Sequence, residues 1–224
     1  MTRLFLAPPN RLCLVVPLLA LLGGCSALSP TATPQPFFYS LDNVRLEAPV
    51  TTKTTATQSV SRPTLIVNPP HAASGFDSKH IIYIRKAHTL EYYAHSEWND
   101  TPARMIAPLI VAAVENSGAF RAVVRTPSAA AGDLRLDTEI IRLQLDTVST
   151  PSQVRFTLRA YLVNNSSRDV LAWREFDETV AVTSEDPYGS VVAANHAVQN
   201  ALGKLAGFCA EATALWPSAG IDHK

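Results

Sequence analysis

The sequence lacks an excess of charge of either sign. Lysine plus arginine equals aspartate plus glutamate at 19 residues each, so the formal net charge is zero. Proteins that bind nucleic acids or anionic membrane surfaces usually do so through an excess of positive charge. We therefore expect no nucleic-acid partner.

The signature motifs of common enzymes are also missing. The chain contains no G-x-S-x-G elbow, no H-E-x-x-H, no G-x-x-x-x-G-K-[ST] loop and no C-x-x-C pair. These motifs position, respectively, a serine nucleophile, a catalytic zinc ion, a nucleotide phosphate and a reactive thiol pair. We predict no catalytic residues, no cofactor and no enzyme activity. An envelope hydrolase with a different kind of site stays an alternative, because a fold alone does not exclude it.

Three histidines are the nearest approach to a metal-binding pattern. His80, His88 and His95 lie within a span of 16 residues. Imidazoles bind zinc only if the fold brings them together, and these three fall across a predicted hairpin and its loop. No cysteine lies nearby, so we predict no metal site.

Cysteine is scarce, with three residues in the chain. Cys13 and Cys25 belong to the N-terminal segment, which leaves Cys209 without a partner for an internal disulfide. Cys209 follows Leu205 and Phe208 in a helical pattern. The pattern favours a small buried hydrophobic residue over a nucleophile.

The N-terminal segment resembles the leader of a bacterial lipoprotein. The apolar run from Leu12 to Leu22 follows Arg3 and Arg11. It is too short to span a bilayer, which takes about 20 residues, but it suits the core of a signal peptide. Leu22-Gly23-Gly24-Cys25 matches the lipobox pattern of small residues before a cysteine. An ordinary secretory signal that ends near a cysteine is the alternative.

We predict that residues 1–24 are a signal peptide and that Cys25 is lipidated. Two or three acyl chains would hold the protein firmly on the membrane. Lipoproteins of the inner membrane typically carry Asp after the cysteine, so Ser26 favours the periplasmic face of the outer membrane. Residues 25–36 are rich in Ser, Thr and Pro, and such a spacer extends about 3.1 Å per residue. We interpret this segment as a tether.

The remaining pattern predicts one domain from residue 37 to 210, followed by a C-terminal tail at 211–224. Alternating apolar residues and β-prone runs predict strands, with a bulge where the alternation changes phase after Ile140. A polar stretch at Thr51–Ser61 predicts a loop. The predicted strands are Phe37–Val44, Leu65–Val67, a hairpin formed by His80–Lys86 and Leu90–His95, Ala119–Thr126, and a meander that covers Leu134–Leu145, Val154–Leu162 and Val170–Val182.

Two helices are predicted. Thr101-Pro102 predicts a helix start in which the threonine hydroxyl caps the free amides, and Gly118 predicts its end. Asp186-Pro187 predicts a second start by the same logic, and apolar residues at helical spacing predict the buried stripe of that helix: Val191, Ala194, Val198, Ala201, Leu202, Leu205 and Phe208. The fold class is therefore α+β, with a mostly antiparallel twisted sheet and both helices on one face.

An aromatic cluster precedes the first helix. Tyr92, Tyr93 and Trp98 are residue types that are frequent in interfaces, although packing in the core and the hairpin explains them as well. Alternation along a strand predicts that one of the two tyrosines faces outward. The outward one is the better candidate for a partner contact.

These segments together resemble the ABC-type transport auxiliary lipoprotein family. The family shows a Y-Y-A-x-x-x-W element, a D-x-P-A helix start and a helix that ends in S-G-x-F. His95-Ser96 departs from the pattern, since the family often has aromatic or basic residues there. The matching residues are Tyr92, Tyr93, Ala94 and Trp98, then Asp100, Pro102 and Ala103, and finally Ser117, Gly118 and Phe120.

The resemblance implies a role in lipid transport. Members of the family accompany envelope systems that combine an ABC ATPase, a permease and a substrate-binding protein of the MCE type. The implied partners are these subunits, with the membrane bound through the acyl chains on Cys25. A homo-oligomer is also compatible with the sequence. An assembly or pilot lipoprotein of another outer-membrane machine is the alternative function.

Overall fold

The computed structural model describes residues 35–42 and 62–214. Residues 1–24, Cys25, most of the tether, the loop at Thr51–Ser61 and the end of the tail lie outside the described residues. The described elements are nine strands and two helices: β1 Phe37–Tyr39, β2 Thr64–Val67, β3 His71–Ala72, β4 His80–Ile84, β5 Glu91–Trp98, α1 Pro102–Asn116, β6 Ala122–Arg125, β7 Leu134–Asp146, β8 Gln153–Asn164, β9 Val170–Ala181 and α2 Pro187–Ala214.

Along one edge, β7 pairs with β8 and so begins the predicted meander. β7, β8 and β9 pair in antiparallel order, with Leu136 opposite Leu162 and Leu158 opposite Phe176. The register shifts between Ile140 and Arg142, which confirms the predicted bulge. The shift returns apolar residues to the face that the helices cover.

The other edge of β7 is shared by three short strands. β2, β3 and β4 pair with it in succession, and all three run parallel to it. β6 extends the sheet beyond β2 in parallel, whereas β5 pairs antiparallel with β4 and then parallel with β1. The longest ladders are antiparallel, so the predicted α+β class is confirmed, and the parallel pairings add a feature that the sequence pattern did not predict.

The core lies between the sheet and the two helices, which also contact each other. Ile106, Ile110 and Val114 of α1 are fully buried, and so are Leu136 and Phe156 of the sheet. The predicted stripe of α2 is buried along its whole length: Val191, Ala194, Val198, Ala201, Leu202, Leu205 and Phe208. Of the two described helices, neither is both long and apolar enough for a membrane span.

The helix ends match the predictions except at one hydroxyl. The carboxylate of Asp186 accepts a hydrogen bond from the amide of Gly189 at 2.6 Å and caps α2. Gly118 has φ +64° after the last turn of α1, a conformation that glycine adopts at little cost. The prediction that the Thr101 hydroxyl caps α1 is wrong, because the hydroxyl makes no capping bond. The Asp100 carboxylate instead accepts a hydrogen bond from the backbone amide of Thr101 at 2.8 Å.

Candidate functional site

The predicted aromatic residues lie on β5 but in three different environments. Tyr92 is 58% exposed, whereas Trp98 is only 3% exposed and belongs to the core. Tyr93 is partly buried and packs against the core. As the alternation predicts, Tyr92 is the outward member of the tyrosine pair. Trp98 is thereby part of the core rather than of any exposed surface in this structure.

Tyr92 stacks on His80 of the neighbouring strand. Their ring centroids are 4.2 Å apart and their planes differ by 15°. The Nδ1 atom of His80 is buried and makes no hydrogen bond to any described residue. The stack fixes the position of the exposed tyrosine ring, since one of its faces rests on a partner that the sheet holds in place.

Phe38 of β1 shares this surface. It lies opposite Glu97 of β5, which in turn lies opposite His80 of β4, so the three side chains project from the same face of the sheet. Phe38 is 61% exposed. We call Phe38, His80 and Tyr92 the aromatic edge. Phe38 was not among the predicted site residues, although the run Phe37-Phe38-Tyr39 was a visible signal in the sequence.

Tyr93 belongs to a second cluster on the other face of β5. Its ring lies 4.8 Å from that of Tyr83, and its hydroxyl lies 3.4 Å from the Ser190 hydroxyl of α2. Burial raises the pKa of Tyr93 above its ordinary value. The cluster therefore holds β5 against the first turns of α2.

Glu91 completes this second cluster. The Tyr83 hydroxyl donates to the Glu91 carboxylate at 3.1 Å, and the Arg85 guanidinium forms an ion pair with it. The hydrogen bond from Arg85 lowers the pKa of Glu91. These groups satisfy one another, so the arrangement is structural.

The three histidines do not converge. His80 takes part in the aromatic stack, His88 lies in the loop after β4 with φ +67°, and His95 is exposed on β5. Within residues 35–42 and 62–214, no three His, Cys, Asp or Glu side chains are grouped so that they could hold a metal ion.

Cys209 is fully buried in α2, as predicted. Desolvation raises the pKa of its thiol to about 12. Since the thiolate is the reactive form of cysteine, this side chain is held in an unreactive state at neutral pH.

A further exposed aromatic residue lies at the far edge of the sheet. Trp173 of β9 is 61% exposed and stacks on Tyr161 of β8 with 6.4 Å between the ring centroids. Val170 and Leu171 of the same strand are also exposed. The sequence interpretation missed this surface because it treated the strand only as part of the meander.

Solved structures share the fold. Protein XCC0632 from Xanthomonas campestris, assigned to the family model DUF330, superposes with a TM-score of 0.62 at 25% identity, over 67% of this chain and 85% of that chain. An uncharacterized protein superposes with a TM-score of 0.59 at 10% identity, over 78% of this chain and 99% of that chain. The second likeness concerns the fold alone.

Sequence comparison gives the family. No curated protein matches the chain. The family model described as "ABC-type transport auxiliary lipoprotein component" matches residues 44–206, which is most of the chain. That description associates the family with ABC transport systems. Because its members are described as lipoproteins, it also associates the family with the cell envelope. The chain therefore belongs to the ABC-type transport auxiliary lipoprotein family.

Proposed function

We propose that this protein is a non-enzymatic accessory component of an MCE-type lipid transport system, anchored on the periplasmic face of the outer membrane. In this proposal residues 1–24 are removed, Cys25 carries the acyl chains, residues 25–36 form the tether, and residues 37–210 form the docking domain. Family membership supports the link to ABC transport. The ABC ATPase, the permease and the MCE-type substrate-binding protein are the proposed partners.

The aromatic edge is the surface to which the proposal assigns partner binding. Phe38 and Tyr92 are exposed, and the Tyr92 ring is held in place by stacking on His80. Exposed aromatic residues on a rigid element bury a large area on binding and lose little side-chain freedom. We therefore propose Tyr92 as the central partner contact, with Phe38 beside it.

The aromatic edge also begins where the tether ends. The tether reaches residue 36, and β1 starts at Phe37. An eleven-residue spacer of this composition extends to roughly 35 Å. In the proposal, the partner contact at Phe38 therefore follows directly after the anchored segment in the sequence.

The test is recovery of partners from the native envelope. After cross-linking, affinity purification of the full-length protein with mass spectrometry should recover MCE and ABC components. Tyr92→Ala should reduce that recovery at least about tenfold, which corresponds to roughly 1.4 kcal/mol. Tyr188→Ala is the matched control, because Tyr188 is 66% exposed but lies on α2.

Three outcomes would contradict parts of the proposal. Recovery of secretion-machine components instead of MCE or ABC subunits would favour a pilot lipoprotein. Equal recovery with Tyr92→Ala and Tyr188→Ala would remove the aromatic edge as the docking surface. Unimpaired lipid transport by a Cys25→Ser variant would show that the anchor is not needed.

A further inference from the structure

A cavity of about 290 Å³ lies between the first turns of α1 and the loop that follows β2. β2 and β6 are parallel, and both point their carboxyl ends toward it. In open sheets, the carboxyl ends of parallel strands are a common location for ligand sites. The apolar part of the wall consists of Pro69 and Pro70 on the loop side and of Ala103 and Ala107 on the helix side.

Two arginines supply the charge of the cavity. Arg104 and Arg125 line it, and no carboxylate does. Among the described residues, no acidic group lies within ion-pair distance of Arg125. Arg104 has one acidic neighbour, Asp100, at 3.6 Å, and the Arg104 side chain is 77% exposed. Such an exposed pair contributes little, so both guanidinium groups can turn to a ligand.

The wall of the cavity is held in place by hydrogen bonds. The backbone amide of Asn68 donates a hydrogen bond to the carbonyl oxygen of Leu136 at 3.1 Å, and the backbone amide of Thr126 donates one to the carbonyl oxygen of Val67 at 3.1 Å. The Thr126 hydroxyl donates to the Asn68 side chain at 3.0 Å. Pro69 and Pro70 then restrict the backbone that follows. The loop side of the cavity is therefore preformed, and the two arginine side chains turn toward the ligand when it binds.

An acidic side chain that contacts this wall, Asp137, is paired within the fold. Asp137 accepts hydrogen bonds from Asn68 at 2.6 Å and from Arg135 at 2.9 Å. At the start of α1, Thr101 makes no side-chain cap and the first turn contains no acidic residue, while the Asp100 carboxylate lies just before this turn and accepts the Thr101 amide. The partial positive charge of a helix N-terminus extends over its first turn.

We propose that this cavity binds a phosphate oxyanion, with Arg104 and Arg125 as the two cationic contacts. The planar fork of arginine matches the oxygen geometry of phosphate. Ligand cavities for whole drug-sized molecules start near about 300 Å³, so this volume suits inorganic phosphate or the phosphate of a lipid headgroup. The acyl chains of a lipid would stay outside. The site does not depend on the aromatic edge, which lies on β1, β4 and β5.

The test is a binding titration of the full-length chain in mild detergent, followed by NMR of its backbone amides. One arm uses inorganic phosphate, and the other uses dihexanoyl phosphatidylglycerol below its micelle concentration. The amides of Arg104, Ala107 and Arg125 should shift with saturation. Arg104→Gln/Arg125→Gln should weaken binding by about tenfold or more, since each lost contact is charge-assisted.

The matched control is Lys86→Gln/Arg168→Gln, which removes the same charge at two exposed loop positions. It should leave the titration unchanged. Saturation by phosphate alone identifies a free anion, and tighter binding of phosphatidylglycerol identifies a headgroup. An equal loss in both double variants, or no saturable shift with either probe, would overturn the site. The envelope pull-down is unaffected by these results, so the two proposals fail separately.

Discussion

The two ends of the sheet stabilise their strands in different ways. At the meander end, β8 pairs along nearly its whole length with β7 and β9, and opposite charges face each other across the strands. Arg155 pairs with Asp177 at 2.5 Å and Arg159 with Glu175 at 2.8 Å. At the other end, β1 pairs with β5 over three residues, and β4 pairs with β5 at three positions.

This difference separates stability from recognition. The side chains of β8 that point toward the helices are almost completely buried, so changes there create cavities. In the aromatic edge at the other end, Phe38 is 61% exposed and Tyr92 is 58% exposed. We expect substitutions at the meander to change the free energy of unfolding, and substitutions at the aromatic edge to change binding.

The largest effect is expected for Phe156→Ala at the centre of β8. Phe156 is fully buried, and truncation of such a residue typically costs about 3–5 kcal/mol. Tyr92→Ala should cost no more than about 1 kcal/mol, because its ring is mostly exposed. Urea denaturation of both variants measures the two values. Similar losses in both would refute the division between the two ends.

The next effect concerns Cys209, on the helix that covers the meander. Burial raises the pKa of the thiol to about 12, so the folded state keeps a proton that the unfolded chain releases near pH 9. Stability should therefore fall as the pH rises from about 9 to 12, at up to about 1.4 kcal/mol per pH unit.

Cys209→Ala isolates this contribution. Its free energy of unfolding should decline less steeply than that of the wild type over the same pH range, because other groups contribute equally to both. The native wild-type thiol should also resist iodoacetamide at pH 8 and react once the chain is unfolded in urea. Rapid alkylation of the folded protein would contradict the assignment of a buried, unreactive thiol.

The smallest effect is expected for the ion pairs between β8 and β9. The hydrogen bond from Arg155 lowers the pKa of Asp177 in the folded state. The pair therefore stabilises the fold above about pH 4, the pKa of an aspartate in the unfolded chain. This contribution disappears as the pH falls through the lowered pKa of the folded state. Both side chains are about 40% exposed. The contribution should stay between about 0 and 1 kcal/mol.

An acid denaturation series tests this pair. Asp177→Asn should lose stability at pH 6, and its difference from the wild type should shrink as the pH falls through the lowered pKa of Asp177, because the wild-type carboxylate then loses its charge. Asp169→Asn, on the exposed turn before β9, serves as the control. A constant difference across the whole pH range would mean that the charge of Asp177 plays no part.

Local patterns predicted the elements because their causes are local. The stripe of α2, the cap at Asp186, the turn at Gly118 and the bulge after Ile140 all depend on residues within a few positions of each other. The Thr101 hydroxyl was the exception. A capping hydroxyl is one of several ways to begin a helix, and the neighbouring Asp100 carboxylate bonds the Thr101 amide in this structure.

Long-range pairings were beyond the sequence pattern. Nothing near Leu65 indicates that it lies opposite Leu134 in a parallel pair. The same limit applies to the sites. Alternation predicted that one tyrosine of the pair faces outward, but it could not bring Phe38 beside it, nor bring Arg104 and Arg125 to one cavity.

The shared edge of β7 also governs the order in which the chain can fold. β2, β3 and β4 all take β7 as a partner, yet β7 begins only at Leu134. Because synthesis delivers the N-terminal part first, β2 and β3 emerge about 60 residues before β7, and β4 emerges about 50 residues before it. Such distant pairings form slowly. Until β7 emerges, β2 and β4 can pair on one side only, with β6 and β5 respectively, so we expect the β7-facing edge of these apolar strands to need protection from aggregation during that interval.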